Sequence, residues 1–516
     1  MGTEKSISNQ IIDRDGSLQS AWQAEVPASL VRPEVQADAI YDSLIIGGGI
    51  TGLTAALLLQ NAGKKCLLVD MASIGYGTTG GTSAHINTFA DTTYTEAESA
   101  FGEEGAQLFA DAVNEGYAII KNNIDTYKID CDFEVKKGYI YAEDEEQAKQ
   151  LDNVYNGAIN VGVEMSYVDD VPTPIEYVKA VLTPNQAQFH PLKYLKGLEA
   201  AYLKAGGLIV ENTRIDDIEH EYDFHIAKAG DQGFKARKVI YATHMPPKIT
   251  VFSFRCAPYR SYVLGVKLTT DRAYPDALIY DMQEPYHYFR THIIDGQKLL
   301  LVGGNDHKTG HDDPEQAFAD LEKYVRKYYN VSSVKYKWSS QYYVPVDGFP
   351  YVGELPFEAD GIYCATGYNG NGMMLGTISG KILSDLIISG ESKYQEIFST
   401  KRIKPIDGFT EFVKENADVA YHFVADRLSI HETDSLKRLV NDSGKVVEVD
   451  GKKIAAYRDK DGAIHALSPV CTHAQCIVNW NQEEKSWDCP CHGARYDING
   501  TVITGPAVKD LPKIDL

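Results

Sequence analysis

Two short cysteine–histidine pairs, Cys471-Thr-His473 and Cys489-Pro-Cys491-His492, constrain this chain more than any other feature. Fifteen residues separate the pairs, enough for two opposed loops that bring two thiolates and two imidazoles to one point. Zinc accepts such a set, so ligand count alone leaves the metal open. The spacing is uneven, a short Cys-x-His pair followed by a longer Cys-x-x-His pair.

This arrangement resembles the Rieske [2Fe–2S] domain. The resemblance implies Cys471, His473, Cys489 and His492 as cluster ligands, and a disulfide between Cys476 and Cys491 tying the two loops together. The flanks agree: Gly493 follows the second histidine, Tyr496 stands where relatives bond a ligand thiolate, and Gly505-Pro506-Ala507 is similar to the proline loop that covers the cluster. High-potential members carry serine where this chain has Ala494. Hydrogen bonds to the sulfurs raise the potential, so a cluster below the top of the Rieske range is expected.

A sequence of 516 residues exceeds one compact core, so two to four domains are expected. An apolar content of 44% with 10% aromatics is that of ordinary globular protein. The formal net charge of −22 argues against nucleic acid and anionic membrane surfaces, and is compatible with a cationic or amine substrate or a basic redox partner. No apolar run approaches a membrane span, and the first residues lack the apolar core of a signal peptide, so the expected location is cytoplasmic. Cys66, Cys131, Cys256 and Cys364 read as reduced core cysteines.

The second informative stretch begins at Tyr41. A short apolar run is followed at once by Gly47-Gly48-Gly49-Ile50-Thr51-Gly52, a helical run, and a second strand ending in Asp70. This is the strand–GxGxxG–helix–strand–acid unit of a dinucleotide-binding fold. Gly47 makes the turn, Gly49 lets backbone approach a pyrophosphate, Gly52 lets helix and strand pack, and Asp70 accepts from a ribose. The Gly/Thr/Ser-rich segment Ser73–His85 resembles the flavin-wrapping loop of the glycine oxidase, sarcosine oxidase and D-amino-acid oxidase family. That resemblance implies FAD, with Thr79, Thr82, Ser83 and His85 beside it. Within the dimethylglycine and sarcosine dehydrogenase branch a histidine near this point is bonded covalently to the flavin. His85 has two open roles, that attachment or a hydrogen bond near the cofactor.

Further motifs extend the resemblance to about residue 395: Lys238–His244 as a returning strand, Asp347-Gly-Phe-Pro350-Tyr-Val-Gly353, a strand ending Ala365-Thr-Gly367, and a glycine-rich helix start. Gly367, Gly372 and Met373 are the implied flavin neighbours there, with the N-terminus of the Gly372 helix favouring negative charge on a reduced flavin. Residues 250–340 alternate as strands, which in this family roof the flavin ring. Arg290, Tyr288, Tyr262 and His287 are the catalytic candidates in this roof, with Arg260 and Tyr286 also polar. An arginine such as Arg290 can hold a carboxylate bidentately.

The expected architecture is an α/β Rossmann-type FAD-binding domain with an antiparallel-sheet substrate domain and a C-terminal all-β Rieske domain. Its segments are an arm (1–38) containing Trp22 and Pro27, a discontinuous FAD domain (39–90, 181–258, 341–400), a substrate domain (91–180, 259–340), a helical connector (401–432) and the Rieske domain (433–516). The implied activity is oxidation of a C–N bond in an amine or amino acid by FAD. Electrons then leave through the cluster to an external acceptor, a protein or a quinone. Reverse flow from cluster to flavin, an O₂-using oxidase with a structural cluster, and a redox sensor are the alternatives.

Overall fold

The computed structural model describes residues 14–25, 30, 32–36, 38–402 and 436–516. The expected connector lies outside these residues except for Lys401 and Arg402, and so does Pro27.

The apolar run Ile40–Ile46 forms the central strand of the first sheet, buried on both faces as parallel strands are. It runs parallel to Cys66–Val69 on one side (Ser43 opposite Cys66) and to Gln232–Tyr241 on the other (Ile45 opposite Ile240). Leu208–Val210 and Ile362–Thr366 extend the parallel set, and Tyr351–Glu354 adds an antiparallel edge. Helix Ile50–Asn61 leaves the first strand through the glycine turn and packs against helix Gly372–Ile388.

The second sheet has nine strands, led by Val331–Pro345, Cys256–Leu268, Gln297–Lys308, Tyr288–Ile294 and Leu278–Asp281 in that order. Glu134–Ala142, Lys179–Gln188 and His85–Ile86 complete its main path. Strand Lys179–Gln188 therefore belongs wholly to this sheet, as does Val331–Pro345. The expected boundaries at 181 and 341 cut through both. Alternation divides the sheet into two faces. Tyr262, Leu264 and Val266 pack with Phe318, Leu321 and Val325 of helix Pro314–Tyr328, while Val263 and Tyr288 face the flavin-type module.

Residues 443–504 form a three-stranded and a four-stranded antiparallel sheet, the expected all-β unit. Asp450-Gly451 makes a two-residue hairpin, with both residues at positive φ, between Val449 and Lys452.

This unit is joined to the rest by buried charge. Glu484 Oε1 accepts from Arg14 Nη2 at 2.8 Å, from Ser339 N at 3.1 Å and from Ser339 Oγ at 2.6 Å. Arg260 lies 3.6 Å from the same oxygen, and Arg495 reaches Asp488 at 3.0 Å and Asp15 at 3.6 Å. These three arginines and three carboxylates are each at most 4% exposed. Arg260, expected among the polar groups of the substrate roof, is thus a junction residue. Burial alone raises the Glu484 carboxyl, but Arg14, Arg260 and Arg495 outweigh it and hold the group below its ordinary value. A depressed carboxyl contributes stability above the unfolded-state value of about 4, lost as pH falls through the folded value.

Removing Glu484 leaves three buried arginines to share two carboxylates in a dry junction. Glu484→Ala should cost about 3–5 kcal/mol in denaturant unfolding followed by cluster absorbance. The wild-type junction should weaken only below about pH 4. A loss under about 1 kcal/mol would show that the network does not hold the unit in place.

Candidate active site and metal centre

A single cavity of ≈ 550 Å³ runs from the glycine turn to the second sheet. Gly47, Gly49, Asp70, Thr79, Thr82, Ser83, His85, Tyr288, Gly372 and Met373 all line it. Gly47 has φ +109°, and a Cβ there would lie 2.5 Å from the Ala242 carbonyl oxygen. Gly52 lies behind the turn, where a Cβ would come within 1.9 Å of Gly47 O. Only glycines permit this turn, and it brings the N-terminus of helix Ile50–Asn61 to the cavity wall, as a pyrophosphate cradle requires. Asp70 accepts from Gly48 N at 2.6 Å and Ala72 N at 2.8 Å, which orients its carboxylate at the cavity wall. Thr79 Oγ1 accepts from Ile50 N at 3.2 Å.

His85 sits between Tyr280 and Tyr288, with ring centroids 5.4 Å from each. Its Nδ1 meets Ser83 Oγ at 2.9 Å, and Nε2 makes no well-formed hydrogen bond. Burial, assisted by the Arg290 charge, holds this imidazole well below its ordinary pKa and therefore neutral. A neutral ring with an open nitrogen is compatible with both roles left open for it.

In the all-β unit, Cys471 and Cys489 are fully buried and His492 is 3% exposed. The two thiols hydrogen-bond each other, and Tyr496 Oη lies 3.2 Å from Cys471 Sγ. The neighbouring thiol, with Tyr496 adding, pulls Cys471 below its ordinary value, and the same pairing pushes Cys489 up. The rings of His473 and His492 stand perpendicular at 4.9 Å. His473 Nε2 donates to the Lys248 carbonyl at 2.9 Å, which leaves Nδ1 with a free lone pair, buried and unpaired. Both ring nitrogens of His492 are likewise buried without well-formed hydrogen bonds. Two adjacent thiols and orphaned imidazole nitrogens fit a cluster bound by two sulfurs and two nitrogens. Cys476 and Cys491 are disulfide-bonded, so the tight trio that they form with Cys489 is not a ligand set.

The cluster loop is also tied to the cavity wall. Tyr343 Oη donates to the His492 carbonyl at 3.1 Å, and Gln341 Nε2 to the Gly493 carbonyl at 3.0 Å. Gln341 and its neighbour Tyr342 line the cavity.

The model of the family described as FAD dependent oxidoreductase matches residues 42–386, and that of the Rieske [2Fe-2S] domain matches 428–515. The chain belongs to the FAD dependent oxidoreductase family. It is 32% identical over 487 residues, 94% of this chain and 95% of the relative, to YhfW of Bacillus subtilis, named as a Rieske 2Fe-2S iron-sulfur protein. It is 23% identical to gamma-glutamylputrescine oxidoreductase of Escherichia coli over 75% of this chain and 93% of that one. Glycine oxidase from Geobacillus kaustophilus shares the fold, with a TM-score of 0.59 and 18% identity, over 70% of this chain and 99% of that structure. FAD and a [2Fe–2S] cluster are the cofactors of this two-part oxidoreductase.

Three of the four catalytic candidates in this family member lie away from the cavity. Tyr262 faces the opposite side of the sheet, bonded to His307 Nε2 at 2.7 Å and packed on Phe318. His287, one position out of phase with Tyr288, pairs with Asp281 at 2.7 Å and stacks on Tyr324 at 3.7 Å. Arg290 shares the face of Tyr288 but directs its guanidinium to the carbonyls of Ser83 (2.8 Å), Ala84 (2.6 Å) and Phe189 (3.3 Å), beneath Trp22. It braces the His85 loop rather than offering itself to a carboxylate. Gly52 and Gly367 serve packing behind the wall. The cavity also holds residues that sequence reasoning missed: Asp91, Asp306, Tyr280, Tyr342, Asn369, Asp15 of the arm, and the Rieske segment Ile503–Val508. The Gly505-Pro506 signal was visible, but it pointed to the cluster alone.

Gly52→Ala should abolish FAD retention, read as loss of flavin absorbance relative to cluster absorbance, because its Cβ collides with Gly47 O. Tyr496→Phe should lower the cluster midpoint potential on the order of tens of millivolts, through loss of one hydrogen bond to sulfur. An unchanged potential would remove Tyr496 from the tuning of the cluster.

Proposed function

We propose that the protein is a dehydrogenase that oxidises a C–N bond of an amine, with electrons leaving through the Rieske cluster to an external protein or quinone acceptor. One observation supports the passage of electrons between the two cofactors most. Strand Val331–Pro345 lines the flavin cavity with Gln341 and Tyr342 and holds the cluster loop with Gln341 and Tyr343. Flavin takes up a hydride equivalent from a carbon next to nitrogen, and a Rieske cluster passes electrons singly. The name of the Escherichia coli relative, an oxidoreductase acting on a putrescine derivative, agrees with an amine substrate.

In this reading the glycine turn, Asp70, Thr79, Thr82, Ser83, Gly372 and Met373 hold FAD, and Cys471, His473, Cys489 and His492 hold the cluster. His85 and Tyr288 lie at the reacting end. The wall of tyrosines desolvates the substrate and favours the neutral amine, which gives up hydride readily. No helix among the described residues is long and apolar enough to cross a membrane. We place the reaction in the cytoplasm, consistent with Cys66, Cys131, Cys256 and Cys364, outside the cluster loops, being buried and free.

Anaerobic stopped-flow absorbance of the holoprotein mixed with amines and amino acids tests this reading. Flavin bleaching followed by loss of the oxidised Rieske bands is the expected sequence. Bleaching with the cluster left oxidised would point to an oxidase with a structural Rieske domain. Bleaching only by a chemical donor through the cluster would reverse the direction of flow.

A further inference from the structure

At the end of the cavity beyond His85, the sheet presents carboxylates among tyrosines. Asp306 reaches it through a bulge: Tyr262 pairs with Gly304 and Arg260 with His307, so Asn305 and Asp306 oppose Ser261 alone. Asn305 takes up the extra residue at φ +56° and sends its side chain to the Ala317 carbonyl on the outer face. Asp306 is thereby turned inward. Its Oδ2 accepts from Tyr342 Oη at 2.8 Å, Ser261 also bonds the carboxylate, and Oδ1 is buried without a well-formed hydrogen bond. Asp91 lines the same end, with Oδ2 accepting from Gly370 N at 2.7 Å. Burial pushes the Asp306 carboxyl up to about 7, and the charge of Asp91 adds to this, so the pair lacks a counter-charge.

A second observation is independent of the acids. Asn369, 7% exposed, lines the cavity and donates both amide hydrogens, to Thr92 Oγ1 at 3.1 Å and the Gly348 carbonyl at 2.9 Å. Its Oδ1 remains an unpaired acceptor. The wall thus offers acceptors and aromatic faces, which suit an ammonium group. Among the described residues this end offers no positive charge for a carboxylate. Arg214 is, among the described residues, the one lysine or arginine lining the cavity, and it pairs with Asp510 and Asp216 beside Thr213, at the end that holds Asp70. The histidines on the wall, His85 and His244, are both held neutral by burial.

We infer that this end of the cavity takes an aliphatic amine bearing a second, non-reacting ammonium group, a diamine or polyamine, with Asp306 and Asp91 receiving that charge. The inference deepens the amine reading and rests on it. An α-amino acid would bring its carboxylate to two aspartates with no cation between them, whereas a diamine supplies the missing charge and keeps its reacting nitrogen neutral.

Two measurements on the holoprotein test this. First, anaerobic flavin bleaching is compared for putrescine, butylamine and glycine. Putrescine should exceed butylamine in kcat/KM by about tenfold to a hundredfold, the worth of one charge-assisted hydrogen bond, and glycine should be poorest. Asp306→Asn, isosteric and checked for retained flavin and cluster absorbance, should bring the putrescine-to-butylamine ratio close to one. Glycine as the best donor, or an unchanged ratio in the variant, would overturn the assignment. Second, tetramethylammonium, which has no nitrogen lone pair and cannot be oxidised in this way, should perturb the flavin spectrum, and acetate should not. Asp306→Asn should weaken that perturbation. Cation binding without bleaching by any amine would sink the amine reading and keep the cation site. Preference for acetate would overturn the site whatever the amines do.

Discussion

Glu484 lies in the dry space where three parts of the chain meet, with Arg14 from the arm, Arg260 and Ser339 from the second sheet, and Arg495 from its own unit around it. A lone buried carboxylate is very costly, and so is a lone guanidinium. Three of each, interleaved, balance one another and satisfy much of their hydrogen-bonding capacity. An apolar junction of the same size could be as stable, but it would tolerate sliding. Paired charges with fixed partners do not, so this junction sets the register between the Rieske unit and the flavin cavity.

The cavity depends on that register. Its wall includes Ile503–Val508 from one side of the junction, Asp15 from the arm, and Gln341 and Tyr342 from the strand that also carries Ser339. FAD binding and cluster geometry are therefore coupled through a shared wall as well as through a peptide linkage. His473, one of the residues that would hold the cluster, is bonded through its Nε2 to the Lys248 carbonyl of the flavin module.

What could be read in advance was whatever chemistry is local in sequence. The cysteine–histidine loops, the glycine turn with Asp70, and the Ser73–His85 segment each place their groups within a few residues, so spacing alone carries the message. The substrate end was not legible, because its residues come from separate strands and their facing depends on phase. Tyr262 and Tyr288 look alike in sequence, yet one packs on a helix and the other lines the cavity. Arg290 has the right face, but Trp22 and three backbone carbonyls claim its guanidinium. Asp306 turns inward because of one extra residue in its strand, which the sequence signals only by an asparagine able to adopt positive φ. The buried network was equally hidden, since its six members are scattered from residue 14 to residue 495.

That scatter affects how the molecule is made. Arg14 and its partner Glu484 are 470 positions apart, so on a ribosome the arm emerges long before the carboxylate that neutralises it exists. The flavin module can fold during synthesis and seat Ser20 and Trp22 of the arm on the carbonyls of Gly80 and Thr82, but the Arg14 guanidinium must wait for its carboxylate. It meets Glu484 only when the Rieske unit has been completed and docked. The junction is therefore a late checkpoint: a chain whose cluster unit fails to form leaves Arg14 and Arg260 without Glu484 and its flavin cavity without the wall segment Ile503–Val508.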